Sequence, residues 1–299
     1  MTNRERVTWV IFRSAWFLCA KLPEALVKRA FVFFADVAVT RKTAGARRLQ
    51  FNLSRAMNIA PESREARDLA QSAMRSYMLY YADLFRLGVY SFDDLGKRAR
   101  FVRREILETP VSQGKGAVVI ITHSGNWDLA GAYVGTQFKD VTSVAERLRP
   151  EKLFQAFVDV RARYGVTVLP HKGGPRPPSE ILLEKLRQGH IIALAADRDF
   201  TRKGIAAKFF GHPATFPAGA IRLAQKTGAP LIFAAIWTDR NVAVLELHDP
   251  IEVGMRADED IIHDVVQHFE TAIKKHPENW HMLQQIWSDH PEQWGGRRR

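Results

Sequence analysis

The spacing of apolar residues along the chain changes near residue 110. Across residues 64–86, apolar side chains recur every three or four positions with charges between them, which predicts an amphipathic helix. Pro61 and Glu62 suit the first turn of this helix, and Gly88 suits its end. Residues 1–110 as a whole have a helical character.

From residue 116 onward, short apolar runs rich in β-branched residues replace the helical spacing. They predict five strands, at residues 117–122, 166–169, 190–195, 231–237 and 242–247. Segments of helical length lie between them, for example at 152–163 and 179–188, and an amphipathic helix at 258–275 follows the last strand. This alternation predicts a mostly parallel sheet flanked by helices. Because only a short turn separates the last two strands, we expect them to form an antiparallel hairpin.

The length of 299 residues and the 46% hydrophobic content allow a large packed core. The fold class expected is therefore α/β, with a helical N-terminal layer over residues 1–110 and an α/β core over residues 111–299. We find no low-complexity linker and no internal repeat, and we expect the two parts to form one continuous domain.

The net charge of +12 predicts an affinity for anionic partners. Residues 1–50 contain ten Lys or Arg residues and three acidic ones, and Arg297, Arg298 and Arg299 end the chain. The apolar run at 7–22 is interrupted by charges, so it suits neither a membrane span nor a cleaved signal peptide.

The same N-terminal run favours one of two arrangements. Its aromatic residues with flanking Arg and Lys suit a helix at the interface of an anionic membrane (Trp9, Phe12, Trp16, Phe17). The alternative is a terminal helix that packs on its own domain. A basic nucleic-acid-binding protein is a third interpretation of the charge, but the sequence contains no recognisable nucleic-acid-reading module, and we expect no nucleic-acid partner.

Cysteine and histidine usage argues against disulfide and metal chemistry. Cys19 is the single cysteine, which fits a reducing compartment, and its apolar surroundings predict a buried side chain. None of the ten histidines has a convincing metal-ligand spacing to other donors. We therefore predict no metal site.

The most informative residues follow the first predicted strand. His123 and Asp128 lie where the carboxyl end of a parallel strand borders a ligand crevice. The histidine can act as a general base whose imidazole the Asp128 carboxylate orients. Gly125 permits a tight turn, and backbone N–H groups at the following helix start, around Asn126 and Trp127, are candidate oxyanion donors. The alternative is a structural hydrogen bond or a helix N-cap.

A second polar cluster, formed by Asp197, Arg198 and Asp199, follows the strand at 190–195 and is expected at the same edge of the sheet. One carboxylate could bind acceptor hydroxyls or lie beside His123, and Arg198 could pair with a phosphate. A turn whose charges satisfy each other is the alternative.

Residues 122–131, Thr-His-Ser-Gly-Asn-Trp-Asp-Leu-Ala-Gly, resemble the His-x4-Asp signature of the lysophospholipid and glycerol-phosphate acyltransferase superfamily. Further blocks at 145–150, 196–200, 209–219 and 276–280 occur in the same order as in the bacterial lauroyl/myristoyl-type enzymes of lipid A biosynthesis. The sequence of these blocks is most similar to that of the actinobacterial phosphatidylinositol mannoside acyltransferases, and Asp rather than Glu at position 128 favours that branch. The blocks cover roughly residues 115–285.

This resemblance implies roles for further residues. It makes His123 the general base and Asp128 its orienter, and it implies a charged pair between Glu146 and Arg161 near the substrates. A surface salt bridge is the alternative for that pair. Arg149 is a candidate for an anionic substrate group, because its planar guanidinium suits phosphate. The residues expected to line an acyl groove are Phe209, Phe210, Phe216 and Pro217.

The loop at 171–176 is basic and rich in glycine, but it lacks the spacing of a phosphate-binding loop. It could touch phosphates of the acyl donor, although a solvated turn is the more ordinary interpretation.

The activity implied by the resemblance is transfer of a fatty acyl chain, with palmitoyl expected, to a mannose hydroxyl of a phosphatidylinositol mannoside. The donor would be acyl-CoA or an acyl carrier protein, acting as co-substrate without a further cofactor or an acyl-enzyme. The site of action would be the cytoplasmic face of the cell membrane, with the enzyme bound peripherally to anionic lipid. The alternatives are a lipid A-type or other lysophospholipid acyltransferase, and a membrane-binding protein without catalysis.

Overall fold

A computed structural model describes residues 2–138, 140–199 and 204–294. Four helices form the N-terminal layer, and side-chain caps at Thr2, Thr43 and Ser63 start three of them. Their bounds are α1 Asn3–Lys21, α2 Glu24–Thr40, α3 Ala44–Met57 and α4 Arg64–Leu87. The helix predicted at 64–86 is thus confirmed, although Ser63 rather than Pro61 begins it, because the Ser63 hydroxyl accepts the Ala66 N–H.

The described part of the chain contains nine strands. Their bounds are β1 Ala99–Val102, β2 Ala117–Ile121, β3 Val141–Ala145, β4 Val166–Pro170, β5 Ile191–Ala195, β6 Ile205–Phe209, β7 His212–Phe216, β8 Leu231–Asp239 and β9 Val242–Leu247. Seven of them form one sheet in the order β1-β9-β8-β2-β5-β3-β4, and β6 and β7 form a separate hairpin. All neighbours in the large sheet are parallel except β8 and β9. The predicted parallel sheet with an antiparallel hairpin is confirmed.

The remaining helices cover both faces of this sheet. They are α5 Phe92–Arg98, α6 Glu105–Ser112, α7 Trp127–Phe138, α8 Glu151–Ala162, α9 Pro178–Arg187, α10 Gly219–Thr227 and α11 Asp258–Lys275. The central strand β2 serves both core layers, because Val118 and Ile120 face one hydrophobic cluster while Ala117 and Val119 face the other. Helix α4 contributes residues to both clusters, so it joins the N-terminal layer to the sheet.

Two parts of the sheet were not predicted. The helical interpretation of residues 1–110 is wrong at Ala99–Val102, which pairs with β9 at the sheet edge. Strand β3 was also missed, because Thr142 and Ser143 interrupt its apolar run. Edge pairing depends on neighbouring strands, which the local sequence does not specify.

Helix α1 has two different apolar faces. Trp9, Phe12 and Trp16 pack inward, with Trp16 contacting the rings of Phe85 and Phe157 at 5.4 and 4.8 Å. The opposite face of α1 holds five apolar side chains, and α2 holds three, that are each 50% to 63% exposed: Val7, Val10, Ile11, Phe17 and Leu18 on α1, and Leu26, Phe33 and Phe34 on α2. We call this set the apolar surface. The inward face agrees with a terminal helix that packs on its own domain, whereas contact of the exposed face with a membrane stays a prediction.

No helix among the described residues has the length and apolarity needed to cross a bilayer.

Candidate active site

His123 follows β2 directly and is held by Asp197, which follows β5. The imidazole Nδ1 lies 2.6 Å from one carboxylate oxygen of Asp197, and the His123 backbone N–H donates to the other oxygen at 2.9 Å. Asp197 is completely buried, whereas the His123 side chain keeps 26% of its surface exposed. Because an ionised carboxylate can only accept hydrogen bonds, Nδ1 carries the proton and Nε2 is left as the basic nitrogen.

The strand register explains why these two residues meet. Ile121 of β2 is paired with Ala195 of the parallel neighbour β5. Two residues further along each chain, His123 and Asp197 leave the sheet side by side at its carboxyl edge. This is the edge at which parallel α/β sheets bind their ligands.

Burial and charge act in opposite directions on this pair. Burial alone would lower the pKa of His123, but the charge and hydrogen bond of Asp197 outweigh it and hold that pKa above 6.5. Burial likewise works to raise the pKa of Asp197, and the contacts with His123 and Trp280 reverse this, so that its pKa lies below 3.8. The Trp280 indole N–H donates to Asp197 at 3.0 Å. Asp197 therefore stays ionised and orients the His123 imidazole.

Residues 279–281 hold the loop that carries His123 through backbone contacts. Ser124 and Trp280 form an isolated antiparallel bridge, and the His281 N–H donates to the His123 carbonyl at 2.8 Å. Gly125 has φ +60°, and a Cβ there would lie 2.7 Å from the Trp237 Cα, so the turn requires glycine. Its N–H donates to the Asn279 carbonyl. Gly125 therefore has the predicted turn role, while oxyanion donation by the N–H groups of Asn126 and Trp127 stays a prediction.

The expected contact between Asp128 and His123 is wrong. Asp128, at the start of α7, instead receives two hydrogen bonds from the Arg161 guanidinium, at 2.5 and 3.0 Å, and one from the Tyr80 hydroxyl at 2.6 Å. Both of its carboxylate oxygens are occupied by these partners. The side chain is buried, and the pKa of Arg161 is raised above its usual value by the Asp128 charge despite burial. Asp128 thus ties α7 to α4 and α8.

The expected pairing of Glu146 with Arg161 is wrong for the same reason, because Asp128 occupies the guanidinium. Glu146 and Arg149 are exposed on the segment after β3, at the same sheet edge as His123. The positive charge of Arg198 acts on His123 and opposes its protonation. Asp199 accepts a hydrogen bond from the Gly204 N–H at 2.8 Å. Phe200, from the 196–200 block, lies outside the described residues.

The expected acyl groove is also corrected in part. Phe209 and Phe216 are completely buried in the core, where Phe209 contacts Phe216, Trp280 and Trp287, so they do not line an open groove. Both belong to the β6–β7 hairpin, which the apolar pattern did not predict. Phe210 lines a cavity of about 420 Å³ beside the hairpin turn. Pro217 is half-buried just after β7.

An aromatic wall flanks the imidazole. The Trp127 ring lies 5.6 Å from the His123 ring and 4.0 Å from the Tyr80 ring, measured between centroids. His281 adjoins both Trp127 and Tyr80, and its Nε2 lies 2.9 Å from the Ser76 hydroxyl. Burial lowers the pKa of His281 to about 3, so this second imidazole stays neutral beside the base.

Sequence reasoning had not assigned site roles to Tyr80, Trp280 and His281. Tyr80 lies within the apolar pattern of residues 64–86, yet a buried tyrosine hydroxyl needs a polar partner, and this requirement is a usable signal. Trp280 and His281 lie far along the chain from His123, and only the folded structure shows that they border it.

The arrangement can remove a proton from a substrate group placed at the exposed edge of His123. Among the described residues, no group of three or more His, Cys, Asp or Glu side chains could hold a metal ion. Ser124 accepts a hydrogen bond from Thr122 at 2.8 Å and is buried, which does not suit a nucleophile.

Comparison with known proteins gives the family. The family model for bacterial lipid A biosynthesis acyltransferases matches residues 2–289. The chain belongs to this acyltransferase family. It is 34% identical to a phosphatidylinositol mannoside acyltransferase of Mycolicibacterium smegmatis over 282 residues, which cover 94% of this chain and 92% of the relative.

A similar match occurs to a phosphatidylinositol mannoside acyltransferase of Mycobacterium tuberculosis, at 34% identity over 287 residues, 95% of this chain and 90% of the relative. A lipid A biosynthesis acyltransferase of Haemophilus influenzae is 26% identical over 148 residues, 49% of this chain and 45% of the relative. The protein is therefore an enzyme that transfers acyl groups.

Replacing the orienting carboxylate should change the pH dependence of this acyltransferase. Asp197→Asn removes the negative charge that raises the pKa of His123, and the burial that lowers this pKa remains. The acidic limb of the kcat/KM profile should therefore move to lower pH. The maximal kcat/KM should fall about 100-fold or more, because the base loses its orientation. A pH–rate profile measures both effects. Asp199→Asn is the matched control in the same loop and should leave the limb in place. A limb that moves in Asp128→Asn but not in Asp197→Asn would contradict the assignment.

Removing the other carboxylate should mainly affect stability. Asp128→Ala leaves the partly buried Arg161 charge and the Tyr80 hydroxyl without their partner, which should lower the free energy of unfolding by about 3 kcal/mol or more. Urea denaturation followed by circular dichroism measures this loss. Asp239→Ala breaks a half-exposed pair with Arg100 and should cost less than about 1 kcal/mol. Equal losses in the two variants would show that the Asp128 cluster is not a buried anchor.

Proposed function

We propose that this acyltransferase moves a fatty acyl chain, with palmitoyl expected, from a thioester donor to a mannose hydroxyl of a phosphatidylinositol mannoside at a membrane surface. The observation that carries the proposal is the His123–Asp197 pair at the carboxyl edge of the sheet. Its outer nitrogen is basic, and its imidazole keeps an exposed edge. The family and the printed names of the two mycobacterial relatives support the choice of acceptor.

The chemistry follows from this base. His123 Nε2 takes the proton of the acceptor hydroxyl while the hydroxyl oxygen forms a bond to the thioester carbonyl carbon. The carbon–sulfur bond then breaks, and the imidazolium returns the proton to the departing thiolate. Asp197 stabilises the imidazolium through Nδ1 and remains ionised throughout, because its pKa is lowered in the pair. No acyl-enzyme and no bound cofactor enter this scheme.

Charged groups at the same edge fit the two substrates. Arg198, whose charge already acts on His123, and Arg149, on the exposed segment after β3, are assigned to phosphate groups of the donor, which is acyl-CoA or an acyl carrier protein. Glu146, also exposed there, can accept hydrogen bonds from sugar hydroxyls. The N–H groups of Asn126 and Trp127 are assigned to the oxyanion.

The apolar surface of α1 and α2 supports peripheral attachment to the cytoplasmic face of the cell membrane. Its eight exposed apolar side chains are accompanied by exposed basic residues on the same helices or at their ends, namely Arg4, Arg6, Arg13, Lys21, Arg29 and Arg41. Apolar residues flanked by cations are the combination that binds anionic lipid surfaces.

Purified protein should acylate a phosphatidylinositol mannoside when palmitoyl-CoA is supplied, and His123→Ala should reduce kcat by at least about 100-fold while the protein stays folded. Mass spectrometry of the lipid product measures the transfer. Addition of a chelator should leave the rate unchanged, since the scheme uses no metal.

A lipid A precursor offered under the same conditions is the comparison acceptor. Acylation of that precursor and not of the mannoside would overturn the choice of acceptor while leaving the acyltransferase chemistry intact. Full activity in His123→Ala would overturn the base assignment.

Attachment to lipid should depend on the apolar surface. The variant Phe33→Ser/Phe34→Ser should bind vesicles of phosphatidylcholine and phosphatidylinositol at least about tenfold more weakly, because burial of each aromatic side chain is worth on the order of 1.5 kcal/mol. Vesicle sedimentation measures the affinity. Met255→Ser removes a fully exposed apolar residue outside this surface and serves as the control. Equal affinities in all three proteins would exclude α2 from the contact.

A further inference from the structure

Asp83 on α4 has a buried carboxylate that contacts the loop containing His123. The residue is 8% exposed, and one carboxylate oxygen accepts a hydrogen bond from the Asn126 amide nitrogen at 3.1 Å. The other oxygen accepts the Tyr90 hydroxyl at 3.4 Å and lies 3.4 Å from the Lys28 ammonium of α2. None of these contacts belongs to the proposed chemical step.

Asn126 connects this carboxylate to the active-site loop. Its amide oxygen accepts the Leu129 N–H at 3.0 Å and thereby caps the start of α7. Because a carboxylate can only accept and a backbone N–H can only donate, these two contacts fix the orientation of the Asn126 amide. Asn126 lies three residues after His123 and two before Asp128, so its orientation sets the path of the backbone between them.

The ammonium group of Lys28, on α2, compensates the negative charge of the buried Asp83 carboxylate. The same ammonium also contacts Glu24 at 2.9 Å and the Asn241 side chain at 3.1 Å. Burial raises the pKa of Asp83, and the charge of Lys28 opposes this rise. The chain of contacts therefore runs from α2, which contributes to the apolar surface, through α4 to the first turn of α7.

We propose that Asp83 is a positioning residue for acyl transfer: through Asn126 it holds the loop that carries His123, and Lys28 anchors it to α2. The inference rests on the proposed function of His123 as the base. Loss of the Asp83–Asn126 hydrogen bond should displace the imidazole and Trp127 relative to the substrates, while the His123–Asp197 contact and its effect on pKa persist. The expected effect is thus on kcat and not on the pH profile.

An exchange of the two side chains tests this inference. In Asn126→Asp the helix cap is preserved, but the new carboxylate faces Asp83 and the hydrogen bond is lost, so kcat should fall about tenfold or more. In the double variant D83N/N126D the hydrogen bond is restored with its direction reversed, because the D83N amide donates to the N126D carboxylate. This double variant should recover kcat to within about threefold of wild type, with KM and the acidic limb of the pH profile unchanged in both proteins.

Controls separate this role from general stability and from the base assignment. Asn126→Ser keeps a capping hydroxyl that is too short to reach Asp83, and it should lower kcat as N126D does; it replaces N126D if that variant does not fold. Asp68→Ala, at an exposed position on the same helix, should leave kcat unchanged. Folded N126D or N126S with wild-type kcat, or a folded double variant as slow as N126D, would overturn the inference. Full activity of His123→Ala would overturn the proposed base instead, and the two failures are thereby distinguishable.

Discussion

The organisation of the candidate site depends on one buried carboxylate. Asp197 is completely removed from solvent, and its two oxygens accept the imidazole N–H of His123, the backbone N–H of the same residue and the indole N–H of Trp280. An unpaired charge at this depth would be strongly destabilising, so these donors must be in place when the protein folds. The hydrogen bonds that stabilise the Asp197 charge also fix the tautomer and the orientation of the His123 imidazole.

The site separates two carboxylates that have different physical tasks. Asp197 acts on a residue with an exposed edge, whereas Asp128 is enclosed by Arg161 and Tyr80 and anchors a helix start. Arg161 donates two hydrogen bonds to the Asp128 carboxylate and Tyr80 donates a third, so both carboxylate oxygens of Asp128 already have donors. The His-x4-Asp signature therefore combines the proposed base with a structural anchor, and the acidic partner of His123 is Asp197, which follows another strand, β5.

The sequence predicts the features that depend on neighbouring residues in the chain, and it does not predict those that depend on pairing between distant segments. Strands β2, β5, β8 and β9 were recognisable because their apolar runs reflect burial, whereas β1 at the edge and the β6–β7 hairpin depend on pairing that local patterns do not specify. The edge of the sheet was located correctly from the ends of β2 and β5. The choice of Asp128 as the partner of His123 was wrong because spacing along the chain favours it. The alternative, that a carboxylate of the 197–199 cluster lies beside His123, is confirmed, and this contact requires β2 and β5 to be neighbours in register.

The nitrogen chemistry of His123 tests the central claim most directly. Nuclear magnetic resonance of the histidine side chains at a pH above the pKa of His123 should show a downfield Nδ1 proton for His123 and a 15N shift typical of an unprotonated Nε2. The signal should disappear in Asp197→Asn and persist in a folded Asp128→Asn protein. A signal that persists in Asp197→Asn and disappears in Asp128→Asn would contradict the account.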